Sequence, residues 1–82
     1  MYYTYLLKSA KDSTYYIGFS SDLAKRFQNH RNGKVKSTKH KRPLALIYYE
    51  AYNDKSLAAK RELNLKKRGS AYYSLLKRIG EK

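Results

Sequence analysis

The sequence predicts an α+β fold in which a three-stranded, mainly antiparallel sheet is flanked by helices, in the order β-β-α-β-α-α. Residues 2–7, 15–19 and 44–52 are rich in the aromatic and aliphatic side chains that strands favour. Segments with N-cap residues and apolar side chains at helical spacing follow the second and third of these runs. A chain of 82 residues has room for one modest core, so we expect a single domain over residues 1–82.

The first two strands are predicted to form an antiparallel hairpin. Residues 9–14, which separate them, are small and polar, as turns are. Such a hairpin brings Tyr5 of the first strand near Tyr16 of the second. Because glycine weakens a strand, we interpret Gly18 as a position where the backbone approaches a helix or a substrate closely.

The first helix is predicted to begin near Leu23 and to run for about ten residues. Residues 20–22 (Ser-Ser-Asp) supply N-cap candidates, and residues 32–33 (Asn-Gly) supply the stop. Leu23, Ala24 and Phe27 are expected to form the apolar stripe that this helix buries.

Residues 34–42 form a strongly basic segment, with five Lys or Arg, one His and no acidic residue. We expect an exposed loop here rather than a helix or a strand. A run of charges is ordinarily a solvated surface, but the position after the first helix favours contact with a nucleic-acid backbone. The candidate contact residues are Lys34, Lys36, Lys39, His40, Lys41 and Arg42.

The remaining chain is predicted to hold one strand and two helices. Residues 44–52 are almost continuously apolar, which predicts a central strand covered on both faces. The second helix starts within residues 53–56 and runs to about residue 67. Ser70 is expected to cap a short last helix, whose apolar residues are Tyr72, Tyr73, Leu75, Leu76 and Ile79.

The charge balance predicts a polyanionic partner. The formal net charge is +13, from 19 Lys and Arg against 6 Asp and Glu. Phosphate backbones are the commonest large polyanions in a cell, so we expect nucleic acid, DNA in preference to RNA. The chain has no cysteine, which excludes disulfides and thiolate zinc sites. No apolar run approaches the roughly 20 residues that span a bilayer. We therefore expect no membrane partner, a cytoplasmic location, and a monomer or weak dimer.

An ordered set of residues resembles the GIY-YIG nuclease family, in particular its short stand-alone bacterial members. The set consists of Tyr3-Thr4-Tyr5, Tyr16-Ile17-Gly18, Arg26, His30 and Glu62. The resemblance covers nearly the whole chain and includes residues 37–43 and 60–62. It implies a GIY-YIG-like domain, a three-stranded sheet flanked by helices that hydrolyses phosphodiester bonds in DNA with one divalent metal, Mg²⁺ or Mn²⁺.

Glu62 is the candidate metal ligand. Ala58, Glu62 and Leu65 fall on one face of the second helix, so the carboxylate lies beside an apolar stripe and needs a partner. That partner is either a neighbouring Lys or Arg, or a Mg²⁺ ion that takes one protein carboxylate and keeps several waters. The resemblance matches Glu62 to the family's metal-binding glutamate.

Four further residues are catalytic candidates. Arg26 is either solvated or stabilises charge on the phosphate, and the resemblance implies the second role. His30 donates to a phosphate oxygen, orients a tyrosine or caps its helix, and the spacing leaves these alternatives open. Tyr5 or Tyr16 activates the attacking water, with a slight preference for Tyr5 as the base. That role requires a nearby arginine or metal to lower a pKa of about 10.

The chain departs from the family pattern at two places. The first triplet lacks Gly-Ile, a change that the pattern tolerates, and the last helix offers Ser70 and Ser74 where many members have an asparagine. The missing asparagine and the expected single-domain architecture motivate an alternative, a nucleic-acid-binding module of the same fold with little or no catalysis. The charge alone also fits a ribosome-associated structural protein. In every case we expect the basic surface to extend to Lys60, Arg61, Lys66, Lys67 and Arg68.

Overall fold

The computed structural model describes residues 1–82 and contains one sheet and three helices. The elements in chain order are β1 (Tyr2–Ser9), β2 (Tyr15–Ser20), α1 (Leu23–Arg31), a 3₁₀ turn (Lys39–Lys41), β3 (Leu44–Tyr52), α2 (Lys55–Lys66) and α3 (Ser70–Arg78). The predicted α+β class and the β-β-α-β-α-α order are confirmed. None of the three helices has the length and apolar character that crossing a lipid bilayer requires.

The middle strand of the antiparallel sheet is β1, because the spatial order is β2-β1-β3. The prediction that residues 44–52 form a central strand covered on both faces is therefore wrong. β3 pairs with β1 alone, and Tyr49 of β3 is 54% exposed. Unbroken burial occurs instead along residues 4–7 of β1. An apolar run that contains tyrosines does not distinguish a central strand from an edge, because tyrosine tolerates partial exposure.

The hydrophobic core lies on the face of the sheet that α2 and α3 cover. Successive side chains of a strand point to opposite faces, and Leu6 of β1 and Ile17 of β2 point into this core. The helices contribute Leu65, Tyr72, Leu75 and Leu76. Tyr73, expected among the apolar residues of α3, is 56% exposed. The expected cap at Ser70 is also wrong, since Gly69 is the N-cap residue and offers no side chain.

A polar cluster around Glu50 ties α2 to the edge strand β3. The Glu50 carboxylate accepts hydrogen bonds from the hydroxyls of Tyr48 and Tyr52. It also accepts from both Nε and Nη2 of Arg61, each at 3.0 Å. Burial opposes the charge of Glu50, but these contacts hold its pKa below the usual value. Arg61 is therefore a structural residue rather than a free part of the basic surface.

Helix α1 lies against the opposite face of the sheet. Asp22 caps it by accepting from the backbone N–H of Lys25 at 3.1 Å, which confirms one of the N-cap candidates. The predicted apolar stripe is only partly right, because Leu23 and Phe27 are half-buried and Ala24 is exposed. The side chain that α1 buries completely is His30.

The basic segment, residues 34–42, is anchored to the β1–β2 turn. Val35 and Thr38 are buried, and the hydroxyl of Ser9 donates to the carbonyl of Lys41 at 2.7 Å. The expectation of an exposed loop is therefore only partly right, although most of the segment is exposed. The segment contains a 3₁₀ turn, and it buries two of its own side chains against the domain.

Candidate active site

The phenol ring of Tyr5 lies directly over Gly18. The two residues face each other across the β1–β2 pair, and Tyr5 is only 1% exposed. A Cβ atom at position 18 would lie 2.2 Å from Cζ of Tyr5, a distance that no side chain tolerates. The close approach expected at Gly18 is therefore to a neighbouring ring and not to a helix or a substrate. Glycine here makes the room that the Tyr5 phenol occupies.

His30 links Tyr5 to the basic segment. Its Nε2 atom lies 2.9 Å from the Tyr5 hydroxyl, and its Nδ1 atom lies 2.7 Å from the Thr38 hydroxyl. The rings of Tyr5 and Tyr16 both meet the imidazole edge-on, with centroids 5.7 and 5.2 Å from it. Burial, assisted by the charge of Arg26, lowers the pKa of His30 to about 4. The imidazole is therefore neutral at pH 7, and it orients Tyr5.

Arg26 faces the oxygens of both tyrosines. Tyr5 is the strongest influence on the guanidinium and raises its pKa, with a smaller contribution from Tyr16. The guanidinium interacts with both phenols electrostatically and forms no hydrogen bond of standard geometry with either. Burial raises the pKa of Tyr5, and Arg26 opposes this without reversing it. The lowered pKa that a base role for Tyr5 requires is thus absent from the protein alone.

A shallow polar depression of about 170 Å³ opens beside Arg26. Its lining contains no hydrophobic side chain and consists of Ser20, Asp22, Lys25, Arg26 and Asn29. Two larger depressions, of about 460 and 480 Å³, lie elsewhere, between α1 and β3 and between the β1–β2 turn and α3. We place the candidate site beside the smaller one because Arg26, which influences and is influenced by Tyr5 and Tyr16, is part of its lining.

Glu62 lies on α2, and its charge acts on Tyr5. Its side chain is 19% exposed and forms an ion pair with Lys66, one helical turn away, at 3.0 Å. The salt-bridge alternative is therefore present in the structure. Lys66 is 48% exposed and such surface pairs are weak, so a divalent cation can replace it. Glu62 is also close enough that its charge contributes to the raised pKa of Tyr5, after burial and the charge of Tyr16.

The donor set near Glu62 fits a cation held by one protein carboxylate. No group of three or more His, Cys, Asp or Glu side chains lies together anywhere in the chain. A site of this kind suits Mg²⁺, which keeps several waters and binds through one or two carboxylates plus substrate phosphate. Zinc, which takes three or four protein ligands, does not suit it.

The six candidate contact residues of the basic segment divide into two groups. Lys41 pairs with Asp12 at 3.0 Å, and Arg42 donates to the carbonyl of Lys39 at 3.1 Å while its guanidinium covers Gly33. These two cations hold the segment in place. The exposed side chains with neither an ion pair nor a hydrogen bond are Lys34, Lys36, Lys39 and His40.

The structure adds two residues that the sequence interpretation did not select. Lys25 lines the depression beside Arg26, and Thr38 is fully buried against His30. Lys25 was detectable in principle, since it precedes Arg26 in the same helix. Thr38 lies in the stretch 37–43 that resembles the family, but the sequence assigned it no role, because the path of the basic segment between α1 and β3 decides which side chain reaches the imidazole.

Comparison with known proteins identifies relatives of this chain. A sequence model of the GIY-YIG catalytic domain matches residues 1–74. A UPF0213 protein of Staphylococcus saprophyticus is 42% identical over 66 residues, which cover 79% of both chains. A UPF0213 protein of Streptococcus pyogenes serotype M5 is 42% identical over 67 residues, which cover 80% of this chain and 72% of the relative.

A solved structure shares the fold. The solution NMR structure of a UPF0213 protein from Bacillus halodurans matches with a TM-score of 0.58 and 28% sequence identity. The match covers 96% of this chain and 85% of the other.

Replacing Gly18 by alanine tests the close approach of Tyr5. The added methyl group forces the ring aside, and we expect a loss of about 2–3 kcal/mol in the free energy of unfolding, measured with urea. Gly69→Ala is the matched control, because a Cβ there meets nothing within 4 Å. In a Tyr5→Leu background the effect of Gly18→Ala should shrink. Equal losses for Gly18→Ala and Gly69→Ala would contradict this packing.

The buried neutral His30 predicts a pH dependence of stability. Its pKa falls from 6.5 to about 4 on folding, so between these values the unfolded chain binds a proton that the folded chain does not. Stability from this residue is therefore complete above pH 6.5 and is lost as the pH falls towards 4. We expect the parent to lose roughly 2–3 kcal/mol more than His30→Gln over this range. Parallel curves of unfolding free energy against pH for the parent and His30→Gln would refute the lowered pKa of His30.

Proposed function

Because the chain belongs to the GIY-YIG family, we propose that it is a metal-dependent endonuclease that hydrolyses phosphodiester bonds in DNA. The observation that carries the proposal is the meeting of Arg26 with the two triplet tyrosines beside a polar depression. These groups come from three separate elements, and α2 adds a partly exposed carboxylate, Glu62, whose charge is felt at the same place. Hydrolysis of a phosphodiester needs an anion site, a proton acceptor and a cation. In the proposal Arg26 binds the anion, a tyrosine accepts the proton and Glu62 holds the cation.

Tyr16 is the tyrosine that we propose to contact the attacking water. It is half-buried, whereas Tyr5 is 1% exposed and its hydroxyl is already engaged by His30. Water reaches Tyr16 without local opening of the domain. This reverses the slight preference for Tyr5 as the base and assigns Tyr5 to positioning.

Arg26 is proposed to bind the scissile phosphate. Its guanidinium lines the depression and is influenced by the phenols of Tyr5 and Tyr16, so a positive charge is already present where charge develops on the phosphate. Lys25 on the same rim adds a second positive charge. The planar fork of an arginine fits phosphate oxygens in a way that lysine does not reproduce.

Glu62 is proposed to hold a divalent cation, Mg²⁺ or Mn²⁺, after releasing Lys66. Such a cation, when bound, supplies Lewis-acid stabilisation of negative charge on phosphate oxygens. The carboxylate of Glu62 fixes where that positive charge sits relative to Arg26. Its own negative charge also offsets part of the local excess of lysine and arginine.

Removing the groups at the centre of the site should abolish turnover. We expect Arg26→Lys and Glu62→Gln each to lower kcat by at least about a hundredfold in a Mg²⁺-dependent cleavage assay with DNA and RNA substrates. Glu81→Gln removes a carboxylate outside the proposed site. It is the matched control and should cleave as the parent does.

The outcomes of this assay separate the alternatives. Cleavage that survives both Arg26→Lys and Glu62→Gln would refute the proposed site. A parent that binds DNA without any turnover in Mg²⁺ or Mn²⁺ would favour the binding module instead. Tight binding of structured RNA with no binding of DNA would favour a ribosome-associated role.

The basic segment predicts how binding depends on salt. Lys34, Lys36 and Lys39 are exposed and unpaired, so each can neutralise one phosphate. Their combined replacement by alanine should reduce the slope of log K against log salt by about 2–3, at roughly 0.9 per phosphate for duplex DNA. The control replaces Lys55, Lys77 and Lys82, an equal change in net charge outside the segment. Equal slopes for the two triple variants would show that only net charge matters.

A further inference from the structure

A chain of buried polar groups runs from Arg26 into the basic segment. Arg26 faces the oxygen of Tyr5, and Tyr5 contacts Nε2 of His30 at 2.9 Å. Nδ1 of His30 contacts the Thr38 hydroxyl at 2.7 Å, and that hydroxyl lies 3.5 Å from the carbonyl of Val35. Tyr5, His30 and Thr38 are each at most 1% exposed, so water does not satisfy them.

The donors and acceptors of this chain are compatible with one direction only. Arg26 has donors and no acceptor, and the carbonyl of Val35 accepts and cannot donate. A neutral imidazole has one N–H and one acceptor nitrogen. If Nδ1 carries the proton, His30 donates to Thr38, Thr38 donates to Val35, and Tyr5 donates to Nε2.

The opposite tautomer leaves a buried proton without a partner. With the proton on Nε2, His30 would donate to the Tyr5 oxygen, and the Tyr5 proton would have to point elsewhere. No other acceptor lies within hydrogen-bond distance of that hydroxyl, and Arg26 beside it is a cation that only donates. An unsatisfied buried donor of this kind is strongly unfavourable.

We infer that Thr38 is a positioning residue that holds His30 in the Nδ1–H tautomer and so turns the lone pairs of the Tyr5 oxygen towards Arg26. The chain then donates in one direction, from Tyr5 through His30 and Thr38 to the backbone carbonyl of Val35, with the positive charge of Arg26 beside the Tyr5 oxygen. Its catalytic consequence rests on the proposed function, while the tautomer itself does not.

The chain orients groups and does not move a proton at rest. The pKa of His30 is about 4, and burial raises the pKa of Tyr5 above its ordinary value of 10. Transfer of a proton from Tyr5 to His30 is therefore strongly unfavourable. The function of Thr38 is thus to fix geometry at Arg26.

Nitrogen NMR of the histidine side chains tests the tautomer directly. In long-range ¹H–¹⁵N spectra at pH 7 we expect Nδ1 of His30 to be protonated in the parent and in Thr38→Ser. In Thr38→Val either tautomer leaves one buried proton without an acceptor, so we expect the preference for Nδ1 to be lost and the Nε2–H tautomer to become populated. The second histidine, His40, is assigned with a His40→Gln variant. A parent protonated on Nε2, or a Thr38→Val variant that keeps the proton on Nδ1, would overturn the inference.

Kinetics test the consequence for the site. Thr38→Val should lower kcat about tenfold with little change in KM, and Thr38→Ser should stay within about twofold of the parent. Equal kcat values for the parent and Thr38→Val would overturn the positioning role. If Thr38→Val does not fold, the parent and Thr38→Ser spectra still decide the tautomer. If the parent does not cleave, the proposed function fails, and the spectra still judge the hydrogen-bond chain.

Discussion

The hydrogen bond between the buried phenol of Tyr5 and His30 is the contact on which the candidate site depends. It joins the middle strand of the sheet to α1, and Thr38 extends it to the basic segment. Gly18 makes it possible by leaving space for the ring. Because water reaches none of these groups, displacing one of them leaves the buried polar atoms of the others without hydrogen-bond partners. A small domain has little stability to lose in this way.

The strand β1 serves two tasks through the alternation of its side chains. Leu6 points into the core under α2 and α3, while Tyr5 points to the opposite face and meets His30. The Glu50–Arg61 cluster belongs to the first face and holds α2 against β3. That attachment fixes where α2 presents Glu62, so a purely structural ion pair determines the position of the candidate metal ligand.

The positive charge of the protein is organised rather than spread evenly. Lys41 pairs with Asp12 and Arg42 donates to a backbone carbonyl, and these contacts hold the basic segment in place. The exposed lysines at 34, 36 and 39 have no ion pair and can contact a polyanion. Arg26 is partly buried, and the neighbouring Tyr5 and Tyr16 raise the pKa of its guanidinium while burial lowers it. Its charge also helps to keep His30 neutral. Arg26 therefore has two roles. In the proposed function it binds the phosphate, and its positive charge also helps to lower the pKa of His30.

The sequence by itself determined the element order and narrowed the N-cap of α1 to three candidates that include Asp22, and its ordered motif proposed a set of site residues, because these follow from local patterns. It misplaced β3 as a central strand, since a run of tyrosines has the same composition at an edge. Only the tertiary structure decided that Tyr5 is buried while Tyr16 is reachable, that Arg61 is paired, and that Thr38 contacts His30. These are properties of contacts between segments distant in the chain, and no local spacing encodes them.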